Sequence, residues 1–280
     1  MSRLPFSQAV KKSSVNIGRE YERLYTMFYL QKFQPAPGQV VTLRDCCAMN
    51  FANLPFRGTC VNLDDFDESC GYAFEKAPDS IDIDYLVRFC EYTYNLLIYS
   101  QGFSYNGNML LLSMTPPMQF FIQQILNVIE AIGYMANNQD GITDFVPKDQ
   151  AAISVSAYVD PNLSYRIIEY NHYSMKGDLN RKREILLALA NKLEPQRKSL
   201  GSINSSLASD LFYLFNAANI RHNNTDPEGE KYNPVIAAMD DAEREKWYDD
   251  TYQMCLLAFL ELEHAERKKR IAQLKQTNQK

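Results

Sequence analysis

Arg221 and His222 place a permanent cation beside a group that titrates near neutral pH, at the end of the apolar run Leu211-Phe-Tyr-Leu-Phe and at the start of a polar loop. Those two residue types suit a phosphodiester. Arginine can fork onto phosphate oxygens, and histidine can take up or deliver a proton. Transfer at a phosphodiester needs an acid-base group to move a proton and a cation to hold the charged phosphorane. Arg221 and His222 are the candidate catalytic residues, and Asn216, Asn223 and Asn224 are candidates to orient or bind the substrate. The same dipeptide also suits a simpler task, because cations near a helix C-terminus complement its dipole.

Little else in the chain carries recognisable chemistry. G-x-x-x-x-G-K-[ST], G-x-G-x-x-G and G-x-S-x-G are absent, so the usual nucleotide-binding loops and the hydrolase elbow are not expected. The acidic run Asp64-Asp65-Phe66-Asp67-Glu68 fails as an EF-hand, since Cys70 and Lys76 stand where Gly and Glu belong. It reads instead as a solvated turn and helix cap. The other two histidines, His172 and His264, read as part of a packed aromatic group with Tyr165, Tyr170 and Tyr173 and as a solvated helical residue, respectively. No metal and no cofactor is expected.

Helical periodicity dominates the elements that must position these groups. Residues 19–33 carry Tyr21, Leu24, Tyr25 and Phe28 at helical spacing, closed by Pro35 and Pro37, and Gln39 to Thr42 suits a short strand. Ser80 can cap a helix facing inward through Ile83, Leu86, Cys90, Tyr94 and Leu97, followed by a Gly/Asn-rich loop at 102–108. Thr115-Pro116 starts another, which ends at Asn137-Asn138. Residues 139–160 read as a looser connection, in which Ile153, Val155, Ala157 and Val159 alternate as in a strand.

Downstream, Asp160-Pro161 and Gly177-Asp178 open two helices, and the second carries Lys182, Ile185, Leu186, Leu189 and Leu193 on one side up to Pro195. The next begins near Ser205 or Ser206 and runs out at Ile220; Asn233-Pro234 begins a short turn. Asp240 and Glu243 form a capping box for the last helix. That helix is apolar on nearly every side from Tyr252 to Leu260, so its centre should be enclosed. The basic cluster Arg267-Lys268-Lys269-Arg270 then marks its C-terminus.

The expected fold is therefore all-α, a helical bundle in the C-terminal half with an additional mostly helical N-terminal region, divided at 150/151. A hydrophobic content of 46% with 22% charged residues belongs to a folded chain. No stretch approaches the roughly 18 apolar residues of a membrane helix. The first residues, with Arg3, Lys11 and Lys12, lack a signal-peptide core, so a cytoplasmic protein without membrane contact is expected, its six cysteines free. The net charge is −5; residues 1–150 hold 11 basic against 16 acidic residues, while 151–280 hold 18 of each. RNA contact is thus expected from the C-terminal half and protein contact from the N-terminal region.

The run from Gly177 to Asp226, through Gly-Asp-Leu-Asn-Arg-Lys-Arg-Glu-Ile-Leu-Leu-Ala-Leu-Ala, Leu-Glu-Pro-Gln-Arg-Lys-Ser-Leu and Asn-Ile-Arg-His-Asn-Asn, resembles the C-terminal region of bacterial abortive-infection proteins, which look like HEPN domains. The resemblance covers roughly residues 161–276. It implies a small helical bundle that pairs as a homodimer and acts as a metal-independent ribonuclease in phage defence or toxin-like growth arrest. Arg221 and His222 match the Arg and the polar residue of the HEPN motif, but its downstream histidine is missing from 223–231. The alternatives are a non-catalytic dimerisation or interaction module, or an RNA- or nucleotide-binding protein with a degenerate motif.

Overall fold

The computed structural model describes residues 15–36, 38–77, 80–100 and 116–277. The loop at 102–108, Thr115 and the basic residues of the first dozen positions lie outside the described residues. The chain is mainly helical, as its periodicity predicts, and separates into two compact units, Met1–Phe145 and Val146–Lys280.

In the first unit, α1 (Ile17–Tyr25) runs into a π-helical turn (Thr26–Leu30), then β1 (Phe33–Ala36) and β2 (Gln39–Val41) pair antiparallel with Phe33 opposite Val41. Helices α2 (Leu43–Met49), α3 (Leu63–Cys70), α4 (Ile83–Tyr99) and α5 (Pro116–Ala131) follow. Its core is aromatic: Tyr21 meets Phe89 edge-on at 5.2 Å and Phe28 stacks on Phe121 at 5.7 Å. Each such buried ring stabilises by about 1.5–3 kcal/mol. Helix α4 is buried on most sides and is capped by Asp82, whose carboxylate accepts from the Tyr85 N–H, rather than by Ser80. Aspartate at this position has the reach and charge to hold the first free amides.

The acidic run lies within α3 and is helix rather than turn; Asp64 and Glu68 are exposed, and Asp65 accepts from the Val61 N–H at the helix start, as a capping role expects. Arg44 reaches Asp64 at 2.6 Å and Asp67 at 2.7 Å, and the Tyr92 hydroxyl donates to Asp67 at 2.6 Å.

Residues 134–147 depart most from the sequence reading. Strands β3 (Tyr134–Gln139) and β4 (Ile142–Pro147) form a two-stranded sheet where a helix end and an irregular connection are expected. Asp140 and Gly141, with φ of 53° and 85°, supply the two left-handed residues that a tight turn between strands requires.

In the second unit, α6 (Gln150–Ser156) takes the place of the expected strand at 153–159. Asp149 accepts from the amides of Ala151 and Ala152, which nucleates a helix, and Ala152 and Val155 become its inward face. Then come α7 (Pro161–Glu169), α8 (Leu179–Leu193), a 3₁₀ turn at Glu194–Gln196, α9 (Arg197–Ile203), α10 (Ser205–Ala217), the short helix α11 (Pro234–Ala238) in place of a turn, and α12 (Asp241–Thr277). Helix α12 packs against α6, α8, α9 and α10, burying Tyr248, Tyr252, Cys255 and Leu256.

Enclosure of α12 is one-sided: Gln253 is exposed and Leu257 is 47% exposed. The basic cluster 267–270 lies inside the helix, which continues to Thr277. No helix among the described residues is long and apolar enough to cross a membrane.

Candidate functional site

Helix α10 is capped by Asn204, which accepts from the Leu207 N–H at 3.1 Å, and it stops at Ala217 rather than at Ile220. The cause is local. Asn219 is left-handed (φ 58°), a conformation that asparagine tolerates better than most residues. Arg221 and His222 therefore sit in a loop, the fourth and fifth residues beyond the helix, and not on its last turn.

That loop is closed by a pair of asparagines. The Asn219 N–H donates to Asn224 Oδ1 at 2.8 Å and the Asn224 N–H donates to Asn219 Oδ1 at 3.0 Å. Asn224 Nδ2 donates to the Lys231 carbonyl at 2.6 Å, and the Asn224 carbonyl accepts from the Asn233 N–H at 2.8 Å. Asn224 is 2% exposed, with both ends of its carboxamide used inside the loop. The Asn219 carbonyl accepts from Arg183 Nε, which ties the loop to α8.

Arg221 points inward. Its Nη2 donates to the Ala190 carbonyl at 2.9 Å, its Nη1 contacts the Glu194 carboxylate, and its guanidinium lies 5.2 Å and 5.8 Å from the ring centres of Phe215 and Phe212. The side chain is only 16% exposed. This is a cation at the C-terminal end of α8, on a carbonyl that already accepts from the Glu194 N–H, where the helix dipole favours positive charge. Arg197 covers the same Phe212 ring at 4.8 Å and approaches Glu194 at 3.9 Å, so two arginines share one carboxylate and one aromatic ring.

His222 is half-exposed, and among the described residues it makes no hydrogen bond or ion pair. Asn216 is exposed and donates back to the Phe212 carbonyl of its own helix at 2.8 Å, while the exposed Asn223 accepts from the Thr225 hydroxyl at 2.9 Å. The five candidate residues thus divide. His222, Asn216 and Asn223 face solvent, whereas Arg221 and Asn224 face the protein.

Comparison with protein-family models, curated proteins and solved structures finds no match.

A second polar cluster in this unit is not apparent from the sequence. Lys182, on the otherwise apolar side of α8 and 5% exposed, donates to Glu245 at 2.8 Å and to Asp249 at 2.6 Å, and lies 5.3 Å from the Tyr170 ring. The Tyr170 hydroxyl donates to Asp249, and the Gly177 N–H donates to Glu245. Burial alone would raise Glu245. The Gly177 N–H and the Lys182 ammonium overcome it and hold the carboxyl below its ordinary value. The only signal available beforehand was a lysine in register with Ile185, Leu186 and Leu189.

His172 is half-buried against Tyr173 at 4.2 Å, with Nδ1 2.7 Å from the Ser174 hydroxyl. Tyr170 stacks on Tyr252, 4.0 Å away and 5° from parallel, so the expected grouping of His172 with Tyr170 gives way to a pairing with α12. His264 is exposed.

Proposed function

We propose that the C-terminal unit is a HEPN-like helical bundle working as a non-catalytic interaction module, in which Arg221 fastens the 218–233 loop to the end of α8. One observation carries this reading: the Arg221 guanidinium is engaged by the Glu194 carboxylate and the Ala190 carbonyl while stacked beside two phenyl rings. A phosphodiester entering there would have to displace a carboxylate already in contact with a largely desolvated cation. Giving up the Ala190 carbonyl would cost a 16%-exposed arginine about 1–3 kcal/mol, while the ion pair contributes about 0–1 kcal/mol because Glu194 is 45% exposed. That cost disfavours a role in which Arg221 releases and recaptures ligands.

The ribonuclease reading keeps one supporting observation, the half-exposed and unpaired imidazole of His222. Two measurements on wild type, Arg221→Ala and His222→Ala separate the readings: a thermal melt and cleavage of a broad RNA pool in EDTA. The module reading expects an inert wild type, a clearly destabilised Arg221→Ala and a His222→Ala that melts like wild type. EDTA-resistant cleavage that falls by about a hundredfold in His222→Ala would overturn it.

A further inference from the structure

Helix α4 and strand β4 border a cavity of about 220 Å³ in the first unit, and two periodicities shape its walls. On α4, Glu91, Tyr92, Asn95 and Leu96 lie one turn apart and share a face; on β4, Ile142 and Asp144 are two residues apart and share one side of the strand. Side-chain bonds strap the two elements together. The Thr143 N–H donates to Asn95 Oδ1 at 2.9 Å, Asn95 Nδ2 donates to the Thr143 carbonyl at 2.8 Å, and the Phe145 N–H donates to Glu91 Oε1 at 2.7 Å. The space equals about seven water volumes, which suits a small molecule.

The rest of the wall is aromatic. Phe56, Phe66, Tyr72 and Tyr92 adjoin in succession, with ring centres 6.0, 5.9 and 4.9 Å apart. Aromatic faces carry negative charge density, and the carboxylates of Glu91, 9% exposed, and the half-buried Asp144 stand among them. Both carboxylates act on Tyr72. Burial raises its hydroxyl, the Arg88 guanidinium opposes that rise, and Cys70, Glu91 and Asp144 add to it. Arg88, which does not line the cavity, lies 5.3 Å from the centre of the Tyr72 ring, so this ring already serves one cation.

We infer that the cavity binds a small quaternary ammonium compound of about choline's size. Rings and carboxylates together attract a cation, and methylated ammonium groups are the ligands that aromatic walls hold best. Directional partners, by contrast, are largely committed. The Asn95 amide is spent on the Glu91 and Thr143 carbonyls and the Thr143 N–H, and the Tyr92 hydroxyl donates to Asp67 at 2.6 Å. A primary ammonium brings three donors that each need an acceptor, whereas a quaternary one brings only diffuse charge and apolar surface. The two carboxylates also repel any ligand with an acid group of its own. The acidic balance of residues 1–150, 11 basic against 16 acidic, favours a cation over an anion in the same way. The inference concerns the first unit and is independent of what Arg221 does.

The test is a titration of the full-length chain at neutral pH with choline up to about 10 millimolar, followed by ligand-observed nuclear magnetic resonance. Saturation with a Kd of about 1 millimolar or tighter is expected. Dimethylbutanol, the uncharged isostere of choline, and glycine betaine, whose carboxylate would meet Glu91 and Asp144, should each bind about tenfold more weakly or worse. Asp144→Asn should weaken choline binding by about tenfold, and Tyr72→Leu by about three- to tenfold, with thermal melts showing that both variants are folded. Absence of saturation by choline would overturn the inference. Dimethylbutanol or betaine binding as tightly as choline would reduce the cavity to an apolar hollow and overturn it as well. Equal choline affinity in wild type and both folded variants would place the cation elsewhere, with the same consequence. The comparison of ligands on wild type decides the charge requirement even where a variant fails to fold.

Discussion

Asn219 and Asn224 hold each other twice, each backbone N–H donating to the other's side-chain oxygen at 2.8 and 3.0 Å. This reciprocal bridge turns the chain sharply after α10 and sets the direction in which Arg221 leaves it. Replacing Asn224, itself 2% exposed, by Ala removes one arm of the bridge and the bond to the Lys231 carbonyl, leaving the Asn219 N–H without its acceptor. The expected loss is about 1–3 kcal/mol, read as a lower melting temperature. Limited proteolysis should cut first within 218–233. An unchanged melt would show that the loop does not depend on the bridge.

Glu194 couples Arg221 to Arg197, and a double-mutant cycle can measure the link. Glu194 is 45% exposed, so solvent screens the pair, and the coupling between Glu194→Ala and Arg221→Ala should be about 0.5–1 kcal/mol. Zero coupling would assign the Arg221 contribution to Ala190 and the phenyl rings instead.

The Lys182 cluster predicts an acid sensitivity. Because Glu245 is held below its ordinary value of 4.5, it binds a proton more weakly folded than unfolded. Its contribution to stability is present above pH 4.5 and is lost as the pH falls through the lower folded value. Melts from pH 7 to 3 should therefore show a steeper decline for wild type than for Glu245→Gln. Lys182→Met, which leaves Glu245 and the half-exposed Asp249 without their cation, should lose about 1–2 kcal/mol at neutral pH. Parallel curves for wild type and Glu245→Gln would refute the linkage.

What the sequence conveys follows from the range of the interactions involved. Helices α8, α10 and α12 are legible because their apolar residues recur at three and four, a pattern that burial on one face imposes. The strand expected at 153–159 fails because four alternating residues fit either period, and the Asp149 cap decides for a helix. Strands β3 and β4 are missed behind the polar run Asn137-Asn138-Gln139, although Asp140-Gly141 is a strong turn signal. At the candidate site the residue types are legible and their commitments are not. Glu194 and Ala190 lie about 30 residues before Arg221, and only packing of α8 against α10 reveals that the cation faces them.

Gly141 offers a test of the turn between β3 and β4. Its φ of 85° is in the left-handed region, and an added Cβ would lie 2.1 Å from the Tyr99 hydroxyl. Gly141→Ala therefore combines backbone strain of about 1–2 kcal/mol with displacement of the Tyr99 side chain. A clear fall in the melting temperature is expected, partly restored by Gly141→Ala/Tyr99→Phe, which removes the clashing oxygen. If Gly141→Ala melts like wild type, the turn is not held in this conformation.

The six thiols should separate by burial. Cys46, Cys47, Cys90 and Cys255 are buried, Cys60 is intermediate and Cys70 is exposed. Burial also pushes Cys46 up to about 11 and Cys47 up to about 12, so little of the reactive thiolate forms at either near neutral pH. A disulfide-exchange reagent added to the native chain at pH 8 should modify Cys70 first and Cys60 next. The remaining four should react only at the rate of local or global unfolding, and all six should titrate at once in denaturant. Because that slow phase reports opening of the two cores, it should accelerate in Lys182→Met for Cys255 on α12, while Cys47 and Cys90, in the first unit, keep their rate. Fast native labelling of Cys90 or Cys255, located by peptide mass mapping, would contradict the packing of α4 or α12.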